Sequence, residues 1–190
     1  FYVNDAVTTG DVYSLAGGSV TNHGISPLRP MPDVQRVIST YDLEPGDTIY
    51  VDTGVYTNAT PIDISALDAG AYTSNLLVTL QGSTNVAAGG TVIQAASQPG
   101  IRFTQAGGIA LRNLRVANAS VGVTLSESDG CRFENVVLDR CDVGVQLAKA
   151  TDTQFRRCVI RESTVAGVQA SQATGARFEN GILWSNALFA

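Results

Sequence analysis

Hydrophobic and polar residues alternate along short segments in the second half of the chain, and the alternation recurs about every 22 residues. In one unit the apolar positions form three pairs: Val123 and Leu125, Cys131 and Phe133, and Val136 and Leu138. Because successive side chains of a strand point to opposite faces, a period of two indicates strands that bury one face. Each unit is therefore expected to hold three short strands separated by tight turns.

Four columns of equivalent residues keep this register, with successive gaps of 22, 22 and 23 residues. The columns are Gly100, Gly122, Gly144 and Gly167; Leu111, Phe133, Phe155 and Phe178; Asn113, Asn135, Arg157 and Asn180; and Val116, Leu138, Ile160 and Leu183. Three short strands can form one rung of a three-sided coil, and such rungs stack about 4.8 Å apart. The sequence therefore predicts an all-β fold, a single-stranded right-handed parallel β-helix. A helical solenoid is disfavoured because no unit contains a long run of helical period.

The N-terminal part of the chain predicts a short capping α-helix. Apolar residues at i, i+3, i+4 and i+7 follow Asp33, namely Val34, Val37, Ile38 and Tyr41. Asp33 is a suitable N-cap, and Pro45-Gly46 is expected to end the segment. We expect this helix to cover the first rung, because an open rung is an unpaired edge.

We expect a single domain over residues 1–190, with about six or seven coils in three parts. Residues 1–46 hold a strand, a loop and the cap helix, residues 47–99 form wide irregular coils, and residues 100–190 form regular coils. In the irregular part, strands are expected at 47–51, 76–80 and 91–94, with loops at 67–75 and 83–90.

The last residues, Leu188, Phe189 and Ala190, resemble the start of another strand. We therefore expect a β-helix truncated at this end, covered by further coils or by a second chain.

Composition narrows the classes of partner. The chain is 44% hydrophobic and carries a net charge of −5 with a pI near 4.7, so nucleic acid is not an expected partner. No apolar run approaches the roughly 18 residues of a membrane span. Three cysteines (Cys131, Cys141 and Cys158) lack metal-site spacing and are expected to be small buried hydrophobic residues.

The stretch from Tyr2 to Tyr56 resembles the start of secreted parallel β-helix proteins of the pectate-lyase superfamily. The matching positions are Tyr2-Val3, Asn22, Gly24, Ser26-Pro27, Pro30, Gln35, Pro45 to Val51, and Gly54 to Tyr56. The later units resemble the β-helix repeat of the same superfamily, and the opening also resembles β-helix modules of very large bacterial surface proteins. The resemblance implies an extracellular or cell-surface location and a polysaccharide partner. It leaves the activity open, because the superfamily includes lyases, hydrolases, epimerases and non-catalytic modules.

Charged columns favour a structural role for most of the ionic side chains. One column holds Arg112, Glu134, Arg156 and Glu179, so opposite charges lie on neighbouring rungs. Asp139 is expected to pair with Arg161, both pointing outward, and Arg140 with Glu162. Asn113, Asn135 and Asn180 predict a corner ladder, with Arg157 as its exception, because Asn tolerates a left-handed corner.

The resemblance implies that a lyase of this fold needs a basic catalytic residue and carboxylates that hold calcium or neutralise a uronate. The two candidates outside the arginines, Lys149 and His23, have no evident partner in register. The loop from Gly17 to Gly24 has no carboxylate, which disfavours a calcium site there. We therefore predict no catalytic residue, no metal ligand and no cofactor, with calcium only an unsupported possibility.

Five outward polar or aromatic residues are candidates for carbohydrate binding: Trp184, Arg161, Glu127, Asp129 and Asp152. An exposed Trp can stack on a sugar, and turn carboxylates can bind calcium or a glycan. The leading hypothesis is a non-catalytic structural or adhesive module. The alternatives are a polysaccharide lyase, or a related carbohydrate-active enzyme, and a carbohydrate-binding module.

Overall fold

The computed structural model describes residues 1–187, which form short strands and one short helix. In chain order the elements are β1 (Tyr2–Val3), α1 (Val34–Thr40), β2 (Thr48–Val51), β3 (Gly54–Thr57), β4 (Ile62–Ser65), β5 (Val78–Gly82), β6 (Thr91–Gln94), β7 (Ile101–Thr104), β8 (Ile109–Arg112), β9 (Leu114–Ala117), β10 (Val121–Ser126), β11 (Arg132–Glu134), β12 (Val137–Asp139), β13 (Val143–Ala148), β14 (Gln154–Arg156), β15 (Val159–Arg161), β16 (Ala166–Ser171), β17 (Arg177–Glu179) and β18 (Ile182–Trp184).

The strands form three parallel sheets that the chain visits in turn. Sheet A has the order β1-β2-β5-β8-β11-β14-β17, sheet B the order β3-β6-β9-β12-β15-β18, and sheet C the order β4-β7-β10-β13-β16. Each turn of the chain contributes one strand to each sheet, which gives five complete coils, and β17 and β18 begin a sixth. The predicted parallel β-helix is therefore confirmed.

The repeat columns of the sequence stack in space. Phe133 pairs in register with Leu111 on one side and with Phe155 on the other, and Phe155 pairs with Phe178. These side chains point into the coil, where Phe133 and Phe155 are almost fully buried. The core is thus a set of continuous apolar stacks that run along the solenoid axis.

A single residue in left-handed conformation turns the chain from sheet A to sheet B in the regular coils. The φ angles are 53° at Asn113, 54° at Asn135, 53° at Arg157 and 52° at Asn180. Asn135 Nδ2 donates to Asn113 Oδ1 at 2.8 Å, and Arg157 Nε donates to Asn135 Oδ1 at 2.9 Å. The corner ladder exists as predicted, and Arg157 continues it through a guanidinium N–H.

The N-terminal segment covers the first coil. β1 pairs with β2 at the edge of sheet A, and α1 buries Val34 and Val37 against the core. Asp33 caps the helix by accepting from Arg36 N, and Gln35 Oε1 accepts from the backbone N–H of Asp63 in the edge strand β4 at 2.7 Å. The helix thus occupies the predicted position and closes the end of the stack.

The irregular coils differ in detail from the prediction. The strand expected at 76–80 begins two residues later, at Val78, and continues to Gly82. The expected loops contain three 3₁₀ turns, at Ala66–Asp68, Tyr72–Ser74 and Val86–Ala88.

The last described coil is more exposed than the coils before it. Phe178 is 42% exposed and Leu183 is 38% exposed, whereas their stacking neighbours Phe155 and Ile160 are 2% and 1% exposed. The strand predicted at Leu188 to Ala190 lies outside the described residues.

Candidate functional site

The charged column on the outer face of sheet A is in register, but its ion pairs differ partly from the prediction. Arg112 Nε lies 3.8 Å from a Glu134 oxygen, and Arg156 Nε lies 3.5 Å from a Glu179 oxygen. Glu134 pairs with the corner residue Arg157 and forms no ion pair with Arg156. Glu134 lies beside Arg156 in register, as the column predicts, but the ladder aims the guanidinium of Arg157 back toward the preceding coil, where it binds Glu134.

Asp139 on sheet B gathers three guanidiniums. Arg161 Nε donates to Asp139 Oδ1 at 2.8 Å as predicted, Arg115 binds Oδ2, and Arg140 Nη2 lies 3.3 Å from Oδ2. The carboxylate was expected to point outward but is only 1% exposed, because these side chains cover it. Arg140 therefore binds Asp139 instead of the predicted Glu162.

The pKa of Asp139 reflects this environment. Burial acts to raise the pKa, but hydrogen bonds from Arg161 and Arg115, together with their positive charge, outweigh it and hold the pKa below the ordinary range. Asp139 is thus an ionised carboxylate that organises three cations.

Lys149 has a partner that the sequence analysis missed. Its Nζ donates to Glu127 Oε1 at 2.9 Å, and Gln105 Nε2 donates to the other oxygen of Glu127 at 3.0 Å. The three residues are 22 positions apart, so the repeat itself was a signal that could have found the pair. Hydrogen bonds from Gln105 and Lys149 lower the pKa of Glu127.

Asp129 is also held by the coil above it. Its Oδ1 accepts from the backbone N–H of Thr151 at 3.0 Å and from Thr151 Oγ1 at 2.6 Å. Through these bonds Asp129 connects neighbouring turns, which is a structural role.

An open cleft of about 230 Å³ lies on the outer side of sheet A. Tyr72, Arg132, Asp152, Gln154 and Arg177 line it, together with two glycines of the adjoining corners. Tyr72 comes from a distant loop, and its ring lies against one of these glycines, Gly130. A Cβ at Gly130 would lie 2.4 Å from Tyr72 Cγ, so this glycine lets the ring reach the sheet.

Arg132 and Arg177 of this cleft occupy one outward column, separated by Gln154. Two coil spacings separate their backbones, which corresponds to about 9.5 Å. Within residues 1–187, neither guanidinium forms an ion pair with a carboxylate, and Arg132 Nη1 instead donates to Asn75 Oδ1. The outward column was readable from the repeat, whereas the contribution of the Tyr72 loop was not.

A family model for the right-handed β-helix region matches residues 63–189. The chain belongs to the right-handed β-helix family. No curated protein sequence matches this β-helix protein.

Three solved structures share its fold. A pectate lyase, Pel9A, has a TM-score of 0.73 at 16% identity, and the match covers 98% of this chain and 48% of that one. A rhamnogalacturonan lyase has a TM-score of 0.67 at 11% identity, covering 97% and 51%. An alginate lyase from Paenibacillus sp. str. FPU-7 has a TM-score of 0.55 at 15% identity, covering 73% and 60%. The β-helix protein thus spans about half the length of the first two structures.

The five predicted carbohydrate-binding residues lie in different parts of the β-helix. Trp184, 57% exposed, pairs in register with Arg161 on sheet B. Glu127 and Asp129 lie in the corner between β10 and β11, and only Asp152 lines the cleft on sheet A.

His23 and the three cysteines lie outside the groups described above. His23 Nδ1 accepts from the backbone N–H of Ile25 at 3.2 Å. The three cysteines are buried and free, as expected for small apolar side chains.

Within residues 1–187, no three His, Cys, Asp or Glu side chains lie together so as to hold a metal ion. In the same range, no helix has the length and apolar character needed to cross a bilayer.

Proposed function

We propose that this chain is a non-catalytic adhesive module that binds an acidic polysaccharide along the outer face of sheet A, outside the cell. The observation that carries the proposal is the pair of arginines, Arg132 and Arg177, placed two coils apart beside Tyr72. Neither arginine forms an ion pair with a carboxylate of residues 1–187, although Asp152 also lines the cleft and the whole chain carries a net charge of −5.

The chemistry of the cleft favours a uronate. A guanidinium binds a carboxylate through two parallel hydrogen bonds, which makes arginine a good receptor for acidic sugars. Tyr72, which is 41% exposed, offers a ring on which the apolar face of a sugar can stack. Because an extended sugar residue is about as long as one coil is high, roughly 4.8 Å, alternate carboxylates can face Arg132 and Arg177.

The ion pairs elsewhere on the surface support binding without cleavage. Arg102 forms a bidentate pair with Asp63 at 2.7 and 2.8 Å, Lys149 pairs with Glu127, and Arg161 pairs with Asp139. A cation held by a carboxylate is poorly placed to remove a proton from a uronate. These residues are better explained as connections between coils.

The alternative function is a polysaccharide lyase, and the likeness to lyases of pectate, rhamnogalacturonan and alginate supports it. In that case Arg132 or Arg177 is the basic residue to examine, since both lack a carboxylate partner among the described residues.

Calorimetric titration with polygalacturonate and with dextran tests the proposal. We expect saturable binding of polygalacturonate only, weakened at least about tenfold when Arg132→Gln and Arg177→Gln are combined. Arg36→Gln is the matched control, because Arg36 is an exposed arginine on α1, away from the cleft. Equal binding of both polymers, or equal loss in the control, contradicts the proposed site. If ultraviolet absorbance detects unsaturated uronate products, the chain is a lyase and the non-catalytic assignment is wrong.

A further inference from the structure

A second cleft lies on a different face of the molecule, between the loop at 83–90 and sheet B. Its volume is about 320 Å³, which falls at the lower end of the range of small-molecule sites. Val86, Leu114 and Val137 supply apolar walls, and Asn113 and Asn135 lie at the corner ladder beside it. Arg115 is the single charged residue among those that line the cleft in the described part of the chain.

The loop that forms one wall is held firmly. Ser83 Oγ lies 2.7 Å from Thr53 Oγ1, and Asn85 Nδ2 donates to the carbonyl oxygen of Gly10 at 2.8 Å. These bonds fix both the 3₁₀ turn and Val86, whose side chain is 83% exposed. An apolar side chain held in an exposed position can contact a ligand without a large ordering cost.

Charge identifies the kind of ligand. Arg115, Arg140 and Arg161 all pair with the one carboxylate of Asp139, so three guanidiniums share a single bound negative charge. Arg115 is 33% exposed and reaches both Asp139 and the cleft. A ligand that fits therefore needs an apolar body for the valine and leucine walls and an anionic group for Arg115.

We propose that this cleft binds a small amphipathic anion, a carboxylate carried on an aromatic or branched aliphatic body. The site lies on sheet B, apart from the polysaccharide cleft on sheet A, so either proposal can fail without the other. Neither the repeat nor the family membership assigns it, because the 83–90 loop belongs to an irregular coil.

Phenylacetate, its uncharged isostere phenylacetamide and acetate are suitable probes in an NMR titration of the whole labelled chain. We expect phenylacetate to shift the backbone amide signals of Leu114 and Val137 saturably. Phenylacetamide and acetate should each bind at least about fivefold more weakly, because one lacks the charge and the other the ring. Equal binding of phenylacetate and phenylacetamide, or shifts confined to another face, overturns the proposal.

Two variants with a matched control locate the interaction. Arg115→Gln and Val86→Ser should each weaken phenylacetate binding by at least about fivefold. Arg140→Gln also removes a cation from Asp139 but does not line the cleft, so it should leave the affinity within about twofold. An equal loss in Arg115→Gln and Arg140→Gln contradicts a specific site. If Arg115→Gln does not fold, the comparison of the three probes on the unmodified chain still decides the question.

Discussion

The rings of Phe133 and Phe155 lie 4.5 Å apart between centroids, with an angle of 13° between their planes. Phe155 and Phe178 lie 4.4 Å apart at 2°. Residues 22 or 23 positions apart in the sequence thus become stacked neighbours. In the regular coils the same spacing also aligns the outward-pointing residues in columns.

The phenylalanine stack should dominate the stability of the regular coils. Replacing Phe155 with Ala removes a ring packed on both sides, and we expect a loss of about 3–5 kcal/mol in the free energy of unfolding. Phe178→Ala is the matched control and should cost clearly less, because Phe178 is 42% exposed. Urea denaturation measures both, and equal losses would count against the buried stack.

The corner ladder combines a conformational and a hydrogen-bonding role that two substitutions separate. Asn135→Ala keeps a Cβ at φ 54° but removes the side-chain hydrogen bonds that support this angle. It should lower the free energy of unfolding by about 1–2 kcal/mol. Asn135→Gly keeps the left-handed corner but removes the bonds to Asn113 and Arg157, so it should cost less than Ala. A glycine variant no more stable than the alanine variant would show that the backbone angle is unimportant here.

Asp139 should control the acid sensitivity of the β-helix. Its pKa is lowered in the folded state relative to roughly 3.9 in the unfolded chain, so its stabilising effect is complete above about pH 5. The effect is lost as the pH falls through the folded-state pKa, because protonation leaves three guanidiniums around a neutral group.

Asp139→Asn should therefore cost about 3 kcal/mol at pH 7 and flatten the pH dependence of stability below pH 4. Urea titrations between pH 7 and pH 3 measure both effects. Asp42→Asn, an exposed aspartate, is the control and should leave the curve unchanged. A wild-type slope retained in Asp139→Asn would assign the acid sensitivity to other groups.

Asp52 should hold the N-terminal loop against the first coil. Its buried carboxylate accepts from the backbone N–H groups of Val12, Tyr13 and Ser14 at 2.7, 2.8 and 2.6 Å. Asp52→Ala leaves these donors without their partner, and we expect a loss of about 3 kcal/mol together with faster cleavage between residues 5 and 18. Limited proteolysis with mass spectrometry detects the cut, and Asp42→Ala should show none of the increase. Unchanged cleavage in Asp52→Ala would mean that other contacts hold the loop.

The three cysteines should be unreactive in the folded chain. Burial raises the pKa of Cys131 to about 12 and also raises the pKa values of Cys141 and Cys158. At pH 8 we expect a thiol reagent to react very slowly with the folded protein and to titrate three thiols in urea. Rapid reaction of the folded protein would indicate that a coil opens readily.

The spacing of a few residue types was enough to predict the fold and its register. Glycine, phenylalanine and asparagine columns repeat at coil length. Each strand pairs with its copy in the next coil, because that pairing both satisfies the backbone N–H and C=O groups and aligns the apolar side chains. The corner at Asn135 followed from the same repeat, since a one-residue turn needs a left-handed conformation.

The sequence did not determine which charged atoms meet. Register places Glu134 beside Arg156, yet its carboxylate binds Arg157, because a long side chain at a corner can reach back across a coil. In the same way the side chain of Arg140 reaches over Asp139. Asp139 was expected at the surface but is therefore buried.

Both clefts depended on the tertiary structure. The Tyr72 ring reaches Gly130 from a loop 58 positions away, and Val86 faces sheet B from another irregular coil. These loops follow no repeat, so their positions are determined by packing against distant strands. By itself the sequence determined the stack of coils, because the repeated spacing can be read directly along the chain and each coil pairs with the next. The two surfaces that we propose as binding sites were decided only when the unrepeated loops packed against that stack.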